Sequence, residues 1–398
     1  MNIVISSPGG ITEPVGGGRI RCYNLARQLE ERGNHIIVLE PSHRKKNYTF
    51  NKLQIRNYIG TIGNHFSLFC DVNPFFVISL IELLLTQQID IIQVDAPWGT
   101  TIARAICALM RKNPLIVYNS QNLDKKLFAE LATYSRSKRD AKAKDIVIST
   151  LSAYYVRVIE KLAVKLSDII LCASTQDQIS FAKEYEIPVS KISVVANGTN
   201  LKQILQASRN KSKFGLDPSK LTILFHGSYK YPPNLEAVDL IDNVIAPSII
   251  KDGFPAEFVV AGSGIPTSRQ SDFISFKGYV EDIAGLLKSS DIALVPIVRG
   301  GGTKLKALDY FAAGLPVVAT TKGLEGIEAI DGEHAIIIDQ VDEEFVNAVR
   351  CLIVSRTERV RLGNNALKLA REKYDWDAIG SALDGFYHRQ LEARRVKE

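Results

Sequence analysis

Lys304 and Lys306 follow directly on the run Gly300, Gly301, Gly302, and Asp309 comes three residues after the second lysine. That order of residue types can bind an anion and a diol side by side. Glycines let a backbone approach a ligand closely. A helix starting near Thr303 would have unpaired N–H groups and the positive end of its dipole there, so two added ammonium groups favour a phosphate. Asp309, about one and a half turns further on, would repel the phosphate but accept hydrogen bonds from vicinal hydroxyls such as those of a ribose. The segment Gly300–Ile327, GGGTKLKALDYFAAGLPVVATTKGLEGI, therefore reads as a nucleotide grip. A capped helix with a solvated basic face is its bland alternative.

A second glycine turn, Gly16, Gly17 and Gly18, precedes Arg19 and Arg21. In a doubly wound fold such a turn is where backbone meets phosphate. It is not a dinucleotide fingerprint: VGGGRIR follows an intervening loop and lacks the third glycine of G-x-G-x-x-G, so NAD binding is not expected. Asp375 and Asp377, in YDWDA, open the final helix and read as capping residues rather than a metal pair. Five cysteines, Cys22, Cys70, Cys107, Cys172 and Cys351, show no C-x-x-C spacing. Neither a metal site nor a disulfide framework is expected, and a reducing cytoplasm is the natural setting.

Elements that could hold these groups alternate regularly. Strands are predicted at Ile3–Ser6, His35–Leu39, Asp90–Val94, Leu115–Tyr118, Asp168–Cys172 and Ile192–Val195, with helices at Arg19–Arg32, Gly99–Arg111, Ile146–Leu166 and Thr175–Tyr185 between them. A polar stretch, Ser208–Lys220, reads as a linker, after which the pattern restarts with strands at Leu221–Phe225, Ala256–Val260, Phe273–Phe276, Ile292–Val295, Pro316–Ala319 and Ala335–Ile338. The tail is helical from Asp342. Alternation of this kind means parallel sheets covered on both faces, so two Rossmann-like units in tandem are expected.

Composition agrees with a globular chain. The 398 residues are 46% hydrophobic and 23% charged, enough for two or three cores. The longest apolar run, Pro74–Leu85, is too short to cross a bilayer, and no basic segment precedes the first strand, so no signal peptide is expected. Charge is uneven: residues 1–200 hold 24 Lys and Arg against 17 Asp and Glu, and residues 201–398 hold 25 against 26. Arg44, Lys45, Lys46, Arg136, Lys138, Arg139, Lys142 and Lys144, with Tyr134 nearby, contribute to the basic half. No helix-turn-helix, zinc-finger or RNP pattern supports nucleic acid as the partner. An anionic membrane surface is the favoured reading, against an ordinary solvated face.

Seven segments in order resemble the retaining family 4 (group 1) glycosyltransferases of GT-B fold, over nearly the whole chain: GGGRIRCYNLARQLEERGNHIIVL, IEKLAVKLSDIILCAST, VVANGTN, ILFHGSYKYPPNLEAV, FVVAGSG, FKGYVEDIAGLLKSSDIALVPI and GGGTKLKALDYFAAGLPVVAT. The resemblance implies two Rossmann-like doubly wound parallel-sheet domains facing a central cleft. It places the acceptor domain at 1–205, the donor domain at 206–376, and a C-terminal helix, 377–398, packing back on the first. It implies a cytoplasmic, peripherally membrane-bound hexosyltransferase that moves a sugar from a UDP- or GDP-sugar to a glycan or lipid-linked acceptor with retention, without metal or cofactor.

The resemblance also implies roles. Asp309 stands where the family has the second glutamate of its E-x7-E motif, on the ribose hydroxyls; Lys304 and Lys306 face the donor phosphates; Tyr279 and Val280 read the nucleobase; Gly16–Gly18 close over the diphosphate and acceptor. Thr303 and the turn Gly300–Gly302 complete the phosphate grip, and Gly227, Ser228 and Lys230 occupy a donor loop that carries an arginine and a lysine in the family. Glu160 matches a helix carboxylate, as a structural ion pair or a catalytic group. His226 ends a strand and reads as structural. Two departures stand out: the first glutamate of E-x7-E is Gly301, and a histidine that often follows the strand at Leu115–Tyr118 is Gln121, which can hydrogen-bond a sugar but carry no proton. They leave two alternatives open, a GT-B epimerase or hydrolase and a degenerate sugar-nucleotide-binding protein.

Overall fold

In the computed structural model, residues 1–12, 16–42, 46–60, 73–137, 142–266 and 269–396 are described. Arg44, Lys45, Cys70, Lys138 and Arg139 lie outside them. The chain divides into two units, Met1–Ala196 with Ile379–Glu398, and Asn197–Ala378.

The first unit is built on β1 (Asn2–Ser6), β2 (His35–Ser42), β3 (Asn47–Phe50), β4 (Leu53–Ile59), β5 (Ile91–Val94), β6 (Leu115–Asn119), β7 (Ile169–Cys172) and β8 (Ile192–Val194). They form one sheet in the order β3-β4-β2-β1-β5-β6-β7-β8, parallel except for the edge hairpin β3–β4. The chain turns outward in both directions from β1, so the switch point lies between β1 and β5. Its helices are α1 (Gly17–Glu31), α2 (Pro74–Thr86), α3 (Thr100–Leu109), α4 (Asp124–Ser137), α5 (Ala143–Leu166) and α6 (Thr175–Tyr185). The apolar run at Pro74 is α2: Asn73 caps it by accepting from the Phe75 N–H at 2.9 Å, and Phe76, Leu80, Leu83 and Leu84 pack into the core with Val4, Ile37 and Ile92. It is a core helix by one face, and being apolar nearly all round it leaves Phe75, Ile78 and Leu85 exposed on the other.

The second unit contains α7 (Leu201–Gln206), β9 (Leu221–His226), α8 (Pro232–Leu240), α9 (Ala246–Lys251), β10 (Ala256–Ala261), β11 (Ile274–Gly278), α10 (Ile283–Ser289), β12 (Ile292–Val295), α11 (Leu305–Ala313), β13 (Val317–Thr320), β14 (Ile336–Ile338), α12 (Glu343–Val354) and α13 (Arg356–Lys373). Its all-parallel sheet runs β11-β10-β9-β12-β13-β14. Counted within the unit this is 3-2-1-4-5-6, the doubly wound order, whose switch point lies between β9 and β12.

The last helix, α14 (Trp376–Arg395), begins in the second unit and belongs to the first from Ile379 on. The Tyr387 hydroxyl donates to Gln93 Oε1 at 2.7 Å, Asn34 donates to Asp384 at 2.6 Å, and Arg394 lies 3.4 Å from Asp168. The C-terminal helix therefore packs on the N-terminal unit. Asp375 accepts the Asp377 N–H at 3.3 Å, the expected capping contact. Among the described residues no helix is long and apolar enough to cross a membrane.

Candidate active site

At the switch point of the second unit, the loops after β9 and β12 carry Gly227, Ser228 and Lys230 on one side and Gly300, Gly301, Gly302, Thr303 and Lys304 on the other. Helix α11 starts at Leu305, two residues later than the sequence suggests. The glycine turn continues through Lys304, which caps the helix with an extended backbone (φ −84°, ψ 96°). This changes where the lysines point. Lys304 turns back over its own loop, its Nζ donating to the Gly302 carbonyl at 2.6 Å and lying 3.8 Å from Glu325. Lys306 is buried, donating to Asn234 Oδ1 at 2.7 Å with Nζ 3.9 Å from the centre of the Phe225 ring, a cation–π contact. Neither side chain is a solvated basic face.

Two ammonium groups in so dry a place are costly. Burial, more than the opposing pull of Glu325, brings Lys304 down to about 8, and burial with the charge of Lys304 holds Lys306 well below its ordinary value. A bound anion would relieve both. Asp309 is partly buried on the next turn of α11. One oxygen accepts from Thr199 Oγ1 at 2.7 Å, and the other lies 3.9 Å from His226 Nε2, too far for a hydrogen bond. Burial raises its carboxyl to about 6. His226 stays neutral, pushed down to about 3 by burial and then by Lys306. Its backbone N–H is held by the Tyr310 hydroxyl at 2.9 Å and its ring stands edge-on to Tyr310, while Nε2 has no hydrogen-bond partner. The ring does more than end a strand: it presents an open nitrogen beside Asp309. Thr303 Oγ1 is likewise buried without a partner.

Other expected positions spread around this centre. Tyr279, exposed, and Val280 follow the end of β11, two strands from β9. Lys230 is exposed, and its side-chain stem packs beside Gly264. Arg299 pairs with Glu236 of α8. Asn234 and Thr199 were not legible as site residues, because each acts through a partner at least 70 positions away in the chain.

The first unit brings together Gly16, Gly17, Gly18 and Gln121 in a cavity of about 320 Å³ at its own switch point. The Gln121 amide lies so close to Gly18 that an added Cβ would sit 1.8 Å from its oxygen, and its nitrogen donates to Cys22 Sγ at 3.2 Å. Asp95, Trp98 and Asp124 also line the cavity. Glu160 resolves as structural. One oxygen accepts the Asp124 N–H at 2.8 Å and the other the Lys125 N–H at 2.9 Å, capping α4 and fixing the loop that carries Gln121. Among the described residues no cluster of His, Cys, Asp and Glu could hold a metal ion, and Cys22, Cys107, Cys172 and Cys351 are free thiols.

Comparison with known proteins gives the family and the fold. The family model "Glycosyltransferase Family 4" matches residues 15–203 and "Glycosyl transferases group 1" matches residues 220–355. A D-inositol 3-phosphate glycosyltransferase of Rhodococcus erythropolis is 24% identical over 58% of this chain and 55% of its own length. The chain thus spans about half the length of that relative. A UDP-Gal:alpha-D-GlcNAc-diphosphoundecaprenol alpha-1,3-galactosyltransferase of Escherichia coli is 23% identical over 73% of each chain. Among solved structures, sucrose-phosphate synthase from Thermosynechococcus elongatus superposes with a TM-score of 0.74 at 14% identity, covering 98% of this chain and 99% of that one, which is a likeness of fold.

Proposed function

The chain belongs to the group 1, family 4 glycosyltransferases of GT-B fold, and from that premise we propose that it transfers a hexose from a UDP- or GDP-sugar to a glycan or lipid-linked acceptor with retention. The observation that carries this reading is the pair of buried lysines at a switch point with a partly buried carboxylate one turn along the same helix. Cleaving the anomeric C–O bond puts negative charge on the leaving diphosphate, and fixed cations with backbone N–H groups stabilise it as it develops. They supply the charge that a metal would otherwise bring. With Gln121 in place of a protonatable group, the leaving phosphate oxygen takes the acceptor proton on the same face. Asp309 holds the ribose through the oxygen that Thr199 leaves open.

Incubation with a panel of UDP-, GDP- and ADP-sugars should release nucleoside diphosphate from one of them. Binding without release, with glycan and lipid-linked acceptors present, would point instead to a protein that kept the fold and lost activity. The active donor should give a bell-shaped profile of kcat/KM, which reports groups of the free enzyme. Below about 6 the Asp309 carboxylate gains a proton and becomes a weaker acceptor for the ribose hydroxyls; above about 8 Lys304 loses the charge that attracts the diphosphate. Asp309→Asn should abolish the acidic limb and Lys304→Arg should move the alkaline limb upward. Limbs unmoved by both variants would assign them to other groups.

The membrane partner has a concrete candidate in α5. Val147, Leu151, Tyr154 and Val158 are 55%, 63%, 69% and 42% exposed and fall on one helical face. Exposed Lys142 and Lys144 stand at one end of this stripe and Arg157, Lys161 and Lys165 at the other. Apolar side chains between cations suit an anionic bilayer surface, each cation adding about 1 kcal/mol. The protein should float with phosphatidylglycerol vesicles at low salt and less at high salt. Replacing Leu151 and Tyr154 with glutamate should abolish flotation and leave nucleotide binding intact; flotation of that variant as wild type would remove α5 from the contact.

A further inference from the structure

We propose that Thr199 is a positioning residue of the second unit's site, tying the Asp309 carboxylate to the place where the chain passes between the units, so that a ribose on Asp309 stiffens that passage; this rests on the ribose reading of Asp309. The chain leaves the first unit between Ala196 and Asn197 and returns to it between Ala378 and Ile379. Just inside the second unit the two passages run side by side. Thr199 and Asp375 form an isolated parallel bridge, in which the Thr199 N–H donates to the Tyr374 carbonyl at 2.8 Å and the Trp376 N–H to the Thr199 carbonyl at 3.4 Å. Thr199, Tyr374 and Trp376 are 2%, 3% and 2% exposed, so these main-chain groups have no water to turn to instead. Both polar main-chain groups of Thr199 are thus fixed, and they aim its side chain: Oγ1 donates to Asp309 Oδ1 at 2.7 Å. Its β-branch leaves χ1 few alternatives.

The same bridge reaches the lysine end of the site. The Tyr374 hydroxyl accepts the Glu328 N–H at 2.7 Å, and Glu325 of that short segment lies 3.8 Å from Lys304 Nζ. One buried bridge therefore supports both the carboxylate and the ion-pair partner of Lys304. Helix α7, which begins at Leu201, packs against α11 and adds a third support. Such a frame holds a binding group in one geometry. It also works in reverse: if the bridge improves the affinity of Asp309 for a ligand, the ligand must stabilise the bridge by the same free energy. Thr199 acts on the charge as well as the place. Burial raises the Asp309 carboxyl to about 6 against the opposing pull of the Thr199 hydrogen bond, which favours the ionised form. His226 on β9 and Tyr310 on α11, which face Asp309, stay neutral, burial pushing the first down to about 3 and the second well above its ordinary value.

Thr199→Val keeps the side chain's shape and both main-chain bonds and removes the hydroxyl; Thr199→Ser puts a hydroxyl back. Binding of UDP, GDP and inorganic pyrophosphate would be measured by calorimetry for wild type, both variants and Asp309→Ala, with amide hydrogen exchange at Thr199 and Trp376 followed with and without each ligand. In wild type the nucleotide should slow exchange at both amides, and pyrophosphate, which has no ribose, should not. Thr199→Val should bind nucleotide about tenfold more weakly, the scale of one hydrogen bond to a charged group, lose the slowing of exchange, and bind pyrophosphate as wild type does. In turnover the loss should fall on the donor KM rather than on kcat, with the acidic limb moved to higher pH. Thr199→Ser should restore all of these, which a role in packing alone would not explain. Nucleotide binding by Thr199→Val equal to wild type, equal weakening of pyrophosphate, failure of serine to restore, or wild-type exchange that nucleotide does not slow overturns the role of Thr199. No binding of UDP or GDP by wild type, or binding by Asp309→Ala as tight as wild type, overturns the ribose reading instead.

Discussion

Replacing Lys304 with alanine is expected to lower turnover at saturating donor by roughly 10²–10³-fold, the scale of losing one preorganised group that stabilises charge in the transition state. Lys304 has two jobs that the variant removes together. It braces the glycine turn through the carbonyls of Gly300, Gly301 and Gly302, and in the proposed reaction it supplies positive charge to the leaving diphosphate. The two separate by chemistry. Lys304→Gln keeps an N–H donor for the carbonyls and discards the charge, so it should be as slow as alanine if charge decides the rate. Turnover restored by glutamine would reduce Lys304 to a brace, and turnover unchanged in alanine would remove it from the site altogether. Because the interaction grows as the bond breaks, kcat should fall more than KM rises.

What the sequence disclosed was what local pattern controls. The apolar runs of β1, β5, β9 and β12 and the glycine turns after β9 and β12 announced two doubly wound units. The hairpin β3–β4 escaped notice because its turn, Asn51 and Lys52, takes φ of 47° and 70° without the glycine that usually marks such a turn. Helix α4 was missed because its N-cap is supplied by Glu160, 36 residues downstream of Asp124. At the candidate site, spacing singles out Lys304, Lys306 and Asp309 but not their orientation. Lys306 is turned inward by Phe225 and Asn234, and Asp309 is half-occupied by Thr199, all contacts that need the folded sheet.

Gly262→Ala should destabilise the second unit by about 4 kcal/mol, through backbone strain and a clash that no rotamer relieves. Gly262 ends β10 with φ at 142°, a conformation reserved for glycine, and its N–H donates to the Gly278 carbonyl at 2.6 Å. A Cβ there would lie 1.8 Å from the carbonyl oxygen of Gly227. Backbone, not a flexible side chain, is what it meets. The Gly227 turn would have to move, and it is tied in place: the Gly227 N–H donates to the Ala261 carbonyl at 3.0 Å, and the Ser228 carbonyl accepts from Asn234, the partner of Lys306, at 2.6 Å. The strain therefore passes from the end of β10 through the Gly227 turn to the buried lysine. Gly253→Ala is the control: its φ is 75° but nothing lies within 4 Å of an added Cβ, so it should cost only about 1–2 kcal/mol for the left-handed backbone. Thermal unfolding of the two variants, followed with and without UDP, separates strain from clash. Gly262→Ala melting no lower than Gly253→Ala would mean that the ends of β9 and β10 are not stacked this closely. A Gly262→Ala protein that folds at low temperature should also bind nucleotide more weakly than the Gly253→Ala control, because the displaced Gly227 turn and Lys306 belong to the proposed nucleotide grip.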